Sequence, residues 1–140
     1  MENLKKLAVE FVPVGSRVTC DPAPTNTDQD YLVLTNDPYE FRAACFDAGF
    51  ELGGSLELDA FLPLNETNRF SSYTLNDANL IVTTDTEFFK RFMAATSVAK
   101  HLNLLKKADR ISLFQAVLYG NSYVEPSLDK IPCDIMSIWD

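Results

Sequence analysis

The first strong pattern along the chain is an apolar run at residues 7–14, which is rich in aliphatic and β-branched side chains. Such a run predicts a buried β-strand, preceded at residues 2–6 by no more than a short frayed turn. Gly15 ends the run, and glycine permits both a tight turn and a close approach of the backbone to another group. Residues 31–34 form a second apolar run. The pattern thus predicts two strands that are joined by a polar segment.

A helix is predicted after the second strand, because the sequence carries signals for both of its ends. Asp37 is a preferred residue type for an N-cap, and Pro38 suits the first helical position. Gly49 closes the segment. The apolar side chains between these ends share one helical face, and we expect the helix to cross over between two strands of one sheet. That face consists of Phe41, Ala44, Cys45 and Phe46.

Short alternating segments fill the middle of the chain. Residues 50–52 predict a strand, and residues 56–62 predict a strand or an extended loop. Residues 70–74 and 78–83 predict a hairpin with its turn at residues 76–77. These segments would extend the sheet that the first two strands begin.

Two amphipathic helices are predicted in the C-terminal third, where apolar residues recur at spacings of three and four. Thr84 and Glu87 have the spacing of a capping box, so Asp85 is expected in the first helical turn. Gly120 ends the second helix, and residues 121–140 are expected to form an irregular tail that packs back on the body. The apolar positions are Phe88, Phe89, Phe92, Met93, Val98, Ala99 and Leu102 in the first helix and Ile111, Phe114, Val117 and Leu118 in the second.

These elements together predict an α/β (α+β) fold in which a mixed β-sheet is flanked by helices. The chain has 140 residues, of which 46% are hydrophobic, and this is enough for one core and too little for two comfortable domains. We therefore expect residues 1–140 to form a single domain.

The distribution of apolar residues and cysteines predicts a cytoplasmic protein without a membrane span. No stretch approaches the ~20 apolar residues that a spanning helix needs. Charged residues break the apolar run at the N-terminus, so no signal peptide is expected. The three cysteines form no Cys-x-x-Cys motif, which disfavours a disulfide framework and a zinc site and is typical of a reducing compartment.

The formal net charge of −8 argues against general binding to duplex DNA, because neutralising phosphates requires clustered Lys and Arg. One local exception is the basic cluster of Lys100, Lys106, Lys107 and Arg110. A solvated helix face is the simpler interpretation of this cluster. In the alternative interpretation, Lys106 or Arg110 reaches the oxygens of a triphosphate.

The polar segment between the first two strands carries the candidate chemistry. Ser16 follows Gly15 and opens a short helical turn, whose N–H groups and hydroxyl can hold a phosphate, and Arg17 can contact the same anion. Asp28 and Asp30 are two residues apart at the start of the second strand, so their carboxylates point to one face. Carboxylate pairs suit Mg²⁺, which prefers oxygen ligands and bridges to substrate phosphates. A nucleotide site is therefore predicted here.

This arrangement resembles the nucleotidyltransferase superfamily that includes DNA polymerase beta and the small antitoxin-type nucleotidyltransferases. The signature of that superfamily is a strand that ends in Gly-Ser, a short connection, and Asp-x-Asp at the head of a strand, which here are Gly15-Ser16 and Asp28-Gln29-Asp30. Coarser features at residues 49–55, 79–83 and 113–120 also resemble small nucleotidyltransferase-like proteins of tailed phages.

The resemblance implies a minimal nucleotidyltransferase that transfers a nucleoside monophosphate from an NTP to an unknown acceptor, either a protein or an RNA. Asp28 and Asp30 would then be catalytic and would hold Mg²⁺ or Mn²⁺. Gly15, Ser16 and Arg17 would bind the nucleotide.

The superfamily usually has a third carboxylate on a later strand, and the expected position here falls on Asn79. An amide can offer an oxygen to a metal, but it cannot serve as a general base. Asp77 and Asp85 are the other candidates for a third ligand, although a turn and a helix start are the favoured explanations for them. The departure at Asn79 supports an alternative function, namely a catalytically inactive member of the fold that binds and inhibits or modulates a host protein through its acidic surface.

Overall fold

The computed structural model describes residues 1–53 and 70–119. Within these ranges helices and strands alternate along the first part of the chain, and two helices follow the last strand. The helices are α1 (Glu2–Leu7), α2 (Ser16–Thr19), α3 (Pro38–Asp47), α4 (Thr86–Leu102) and α5 (Lys107–Tyr119). The strands are β1 (Glu10–Val14), β2 (Gln29–Leu34), β3 (Glu51–Leu52), β4 (Ser71–Leu75) and β5 (Ala78–Thr83).

The strands form one mixed sheet in the order β1-β2-β5-β4-β3. Its central strands, β2 and β5, are parallel, and each is antiparallel to its outer neighbour. β4 and β5 form the predicted hairpin, in which Asn76 adopts a positive φ of 52°. Asparagine tolerates this left-handed conformation better than most residues. The sheet and its flanking helices confirm the predicted α+β class.

A hydrophobic core lies on each face of the sheet, because neighbouring residues of β2 and β5 point to opposite sides. On one face, Leu32 and Ile81 pack against α4 and α5, whose Phe92 and Phe114 rings meet with centroids 4.8 Å apart. On the other face, Val33 packs among side chains from α1 and α3. The second core comprises Leu4, Val33, Phe41, Cys45, Phe50, Tyr73, Leu80 and Val82.

The helix α3 forms as its end signals predict. The Asp37 side chain accepts hydrogen bonds from the backbone N–H groups of Tyr39 and Glu40, which satisfies two donors that a helix start leaves unpaired. Gly49 follows the helix with a positive φ of 99°. On the predicted apolar face Phe41 is buried, whereas Phe46 remains 44% exposed.

Two predicted boundaries are wrong, each for a local reason. The first strand begins at Glu10 and not at Leu7, because Leu7 is the last residue of the helix α1. The side chain of Leu4 in this helix is buried in the core. In the second case Asp85, and not Thr84, is the N-cap of α4, since its carboxylate accepts from the N–H groups two and three residues later. An aspartate is as good an N-cap as a threonine, so spacing alone did not decide between them.

The predicted apolar face of α4 is partly wrong. Phe88, Phe92 and Ala99 are buried as expected, but Val98 is 40% exposed and Leu102 is 57% exposed. These two residues lie one helical turn apart, on the border of the face that packs against the sheet. The helix therefore ends with an exposed apolar strip.

Two sequence predictions lie outside the described residues, namely the strand or loop at residues 56–62 and the irregular tail at residues 121–140. The assignment of residues 1–140 to a single domain stays a prediction. None of the helices in the described ranges is both long enough and apolar enough to cross a membrane.

Burial of the Cys45 thiol predicts a loss of stability in alkali. Burial raises the pKa of Cys45 from 9.0 to about 11, because the charged thiolate is poorly solvated in the core. An unfolded chain loses this proton near pH 9 and the folded chain does not, so the thiol stabilises the fold below pH 9 and the benefit is lost as the pH rises to about 11.

Between pH 9 and about pH 11, the free energy of unfolding of wild type should fall by about 2 kcal/mol more than that of Cys45→Ala. Urea unfolding in the presence of a thiol reductant measures this difference. Burial also raises the pKa of Tyr73, and the charge of the Cys45 thiolate adds to this shift, so the part of the Tyr73 contribution that depends on Cys45 is included in the difference between the two proteins. Parallel stability curves for the two proteins would contradict the prediction.

Candidate functional site

The two predicted metal ligands and Asn79 meet at the end of the sheet where β2 and β5 begin. Asp30 lies directly opposite Asn79 in the parallel pair. The Asn79 amide nitrogen donates to Asp30 Oδ1 at 3.0 Å and to Asp28 Oδ2 at 3.4 Å. Both carboxylates therefore face one side and converge on a single atom, as their spacing predicts. Asp28 is exposed, and Asp30 is half-buried.

Gly15 packs against the Asp30 carboxylate. Val14 pairs with Asp30 across β1 and β2, which brings the next residue, Gly15, over the Asp30 side chain. A Cβ atom added to Gly15 would collide with Asp30 Oδ2 and would also lie 3.1 Å from Asp30 Cγ. Gly15 has φ 83° and ψ −173°, a region that is essentially restricted to glycine. The close approach predicted from sequence is thus made to Asp30.

Gln29, the middle residue of the Asp-x-Asp motif, fixes the backbone of the site. Its side-chain amide donates to the carbonyl of Val14 at 3.1 Å and to the carbonyl of Asp30 at 2.8 Å. One side chain thereby holds the end of β1 and the start of β2 together. Sequence reasoning missed this role, although the alternation of a strand places Gln29 on the face opposite its two neighbours.

The loop that leads to Asp28 is attached to the turn between α4 and α5. Asn103 accepts a hydrogen bond from the Asp21 N–H at 2.9 Å and donates one to the Asp21 carbonyl at 3.1 Å. Asn103 is the C-cap of α4, and its backbone has the left-handed conformation with φ 49°. Sequence reasoning missed this residue as well, and its signal was an asparagine at the end of a predicted helix.

Ser16 and Arg17 occupy different positions relative to the carboxylates. Ser16 begins α2 directly after Gly15. The Arg17 guanidinium instead donates to the carbonyl of Thr25 at 3.3 Å, within the loop. Arg17 also lines a cavity of about 410 Å³ together with Gln29 and Tyr31, which alternate with Asp30 along β2. The structure therefore places Gly15 against the Asp30 carboxylate and directs the Arg17 guanidinium to the carbonyl of Thr25.

The remaining charged candidates are engaged elsewhere. Asp85 caps α4 beyond the end of β5, whereas Asn79 lies near the start of that strand. Asp77 lies in the β4–β5 turn and lines the cavity beside Arg17. Arg110 donates to the carbonyls of Leu104 and Leu105, each at 2.9 Å. Through these two hydrogen bonds Arg110 stabilises the turn between α4 and α5.

The residues present fit a divalent cation. The described residues contain no group of three or more His, Cys, Asp or Glu side chains placed to bind a metal. Asp28 and Asp30 nevertheless offer two carboxylate oxygens that converge on the Asn79 amide. The N–H end of that amide carries partial positive charge, so the two carboxylates already stabilise positive charge at this position. If the amide rotated, its oxygen would complete a set of three oxygen donors, which is the ligand chemistry that Mg²⁺ prefers.

Comparison of the chain with protein-family models, with curated proteins and with solved structures finds no match.

Proposed function

We propose that the chain is a nucleotidyltransferase-like protein that binds an NTP and a divalent cation at Asp28 and Asp30. The observation that carries the proposal is the convergence of both carboxylates on the Asn79 amide, directly beside Gly15. A carboxylate pair beside the Gly15-Ser16 turn could hold a cation that bridges to the phosphates of a nucleotide, and the cation would compensate the repulsion between the two anions.

The residues of the site would divide into those that hold the metal and those that face the nucleotide. Asp28 and Asp30 would hold Mg²⁺ or Mn²⁺, with the Asn79 amide as a third, neutral donor. Gly15 and Ser16 would face the phosphates of the nucleotide. The metal, when bound, would stabilise charge on the phosphoryl oxygens during transfer of a nucleoside monophosphate to a protein or RNA acceptor.

One observation favours a second candidate function. Asn79 donates to both carboxylates, so the site is already internally hydrogen-bonded without a cation, and an amide cannot take a proton from an attacking hydroxyl. A protein of this kind would retain the fold while having lost the reaction. It would then bind and modulate a protein partner, with its acidic surface as the contact.

Calorimetric titration of each NTP, with and without Mg²⁺, tests the first proposal. Wild type should bind at least one NTP in the presence of Mg²⁺, and Asp28→Asn/Asp30→Asn should weaken this binding by roughly 100-fold because the metal loses both charged ligands. Asp47→Asn, which removes an exposed carboxylate at the end of α3, is the matched control and should bind as wild type does.

The outcomes separate the two candidate functions. Absence of Mg²⁺-dependent binding by folded wild type would contradict the nucleotide site. If binding occurs, incubation with α-labelled NTP and candidate acceptors distinguishes the transferase from the inactive form. Label transferred to protein or RNA only when Asp28 and Asp30 are intact would support the enzyme, and binding without transfer would contradict the transfer reaction.

A further inference from the structure

Several exposed residues lie around the turn between α4 and α5. The two helices pack antiparallel, since Arg91 near the start of α4 donates to the Leu118 carbonyl near the end of α5 at 3.1 Å. The contact between the Phe92 and Phe114 rings agrees with this alignment. The end of α4 therefore lies beside the start of α5. We define the turn patch as Val98, His101, Leu102, Leu105, Lys106 and Lys107.

The centre of the turn patch is apolar and exposed. Leu102 is 57% exposed, Leu105 is 58% exposed and Val98 is 40% exposed. Leu104, which lies between two of them in sequence, packs against the core instead. The turn thus directs one leucine inward and two outward, and the outward side chains keep more than half of their surface exposed. Exposed apolar side chains grouped in this way are typical of protein interfaces.

The rim of the turn patch is basic in a chain that is otherwise acidic. Residues 98–110 contain four Lys or Arg and one Asp, whereas the whole chain has a formal net charge of −8. An acidic partner is repelled by most of this molecule. Local positive charge would therefore steer such a partner to the turn patch and would exclude binding in other orientations.

We infer that the turn patch is a docking surface for an acidic amphipathic helix of a protein partner. Leu102 and Leu105 would take up the apolar side chains of that helix, and Lys106 and Lys107 would pair with its flanking carboxylates. Apolar anchors within a charged rim are the usual arrangement of a helix-binding surface. This inference does not depend on nucleotide binding at Asp28 and Asp30.

Two other classes of ligand fit the turn patch less well. Single-stranded RNA is usually held by aromatic side chains that stack on its bases, and the turn patch contains only the imidazole of His101 for that purpose. An anionic membrane binds helices that present a long apolar face, but the apolar face of α4 is buried against the sheet through Phe88, Phe92 and Ala99.

Fluorescence anisotropy with a labelled synthetic peptide tests the inference. The peptide is a helix with leucines at every third and fourth position and glutamates between them, and a second peptide has serines in place of the leucines. Wild type should bind the leucine peptide and should bind the serine peptide at least about tenfold more weakly. Equal binding of both peptides, or no binding of the leucine peptide, would overturn the inference.

Variants locate the binding surface. Leu102→Ser/Leu105→Ser and Lys106→Glu/Lys107→Glu should each weaken binding about tenfold or more. Val9→Ser/Lys6→Glu makes the same kinds of change at exposed positions elsewhere and should leave binding unchanged. Circular dichroism checks that each variant folds. Retained peptide binding in both patch variants would overturn the inference, as would patch-dependent binding of single-stranded RNA or phosphatidylserine vesicles without peptide binding.

Discussion

Replacing Gly15 with alanine should lower the free energy of unfolding by about 4 kcal/mol and abolish any Mg²⁺-dependent NTP binding. Two costs add. A side chain at φ 83° and ψ −173° strains the backbone by about 1–3 kcal/mol. The new Cβ also collides with the Asp30 carboxylate, and relieving such a collision typically costs about 1–3 kcal/mol more. Urea unfolding measures the change in the free energy of unfolding, and calorimetric titration measures the loss of Mg²⁺-dependent NTP binding.

Two control variants separate these costs. Gly49→Ala introduces the same side chain at φ 99°, where the nearest atom to the new Cβ would be Leu75 Cδ1 at 3.7 Å, so only the strain of about 1–2 kcal/mol is expected. Combining Gly15→Ala with Asp30→Ala removes the collision with the carboxylate and leaves only the tight contact to Asp30 Cβ at 3.1 Å, so the double variant should be more stable than the sum of the two single changes predicts. Equal losses for Gly15→Ala and Gly49→Ala would show that the approach to Asp30 contributes nothing.

Replacing Asn79 with aspartate should convert the site into a stronger cation site at the expense of stability without metal. The change removes the amide that donates to Asp28 and Asp30 and adds a third negative charge, so in EDTA the free energy of unfolding should fall by about 2 kcal/mol. With Mg²⁺, the added charge should tighten cation binding by roughly 100-fold, because a unit charge a few ångströms away contributes several kcal/mol at an effective dielectric constant of about 20.

Thermal unfolding as a function of Mg²⁺ concentration measures both effects, since a ligand that binds only the folded state raises the unfolding temperature. Asn79→Ala is the matched control, because it loses the amide without gaining a carboxylate. It should be destabilised less than Asn79→Asp in EDTA, because it adds no negative charge, and its stability should rise far less with Mg²⁺. Identical responses of the two variants to Mg²⁺ would contradict a cation site at Asp28 and Asp30.

The carboxylate pair could be predicted from a local rule, whereas the position of Asn79 beside it was expected from the resemblance to the nucleotidyltransferases. Residues two apart on a strand share a face, which fixed Asp28 relative to Asp30. The apolar segments around Asn76 predicted a hairpin, and once its second strand joins β2, Asn79 falls opposite Asp30. The sheet class followed from the same alternation of elements.

The hydrogen bonds within the site could not be predicted in the same way. Whether the Asn79 amide joins both carboxylates, or Gln29 joins two strands, depends on distances set by the whole fold. The exposed side of α4 escaped prediction for a similar reason, because Val98 and Leu102 fit an apolar periodicity whose packing partner the sequence does not identify. α1 was missed because a helix of six residues has too few turns to show a period.

The paired hydrogen bonds between Asp21 and Asn103 bear on the conformational entropy of the site. They join residues 82 positions apart in sequence, and the bond from Arg17 to the Thr25 carbonyl holds the same loop nearer to Asp28. Each attachment divides the loop into shorter pieces that explore fewer conformations. The segment that leads to Asp28 is therefore short and restrained. Part of the entropic cost of positioning the Asp28 carboxylate is already incurred when the chain folds. The end of α4 thereby preorganises a carboxylate that it does not touch.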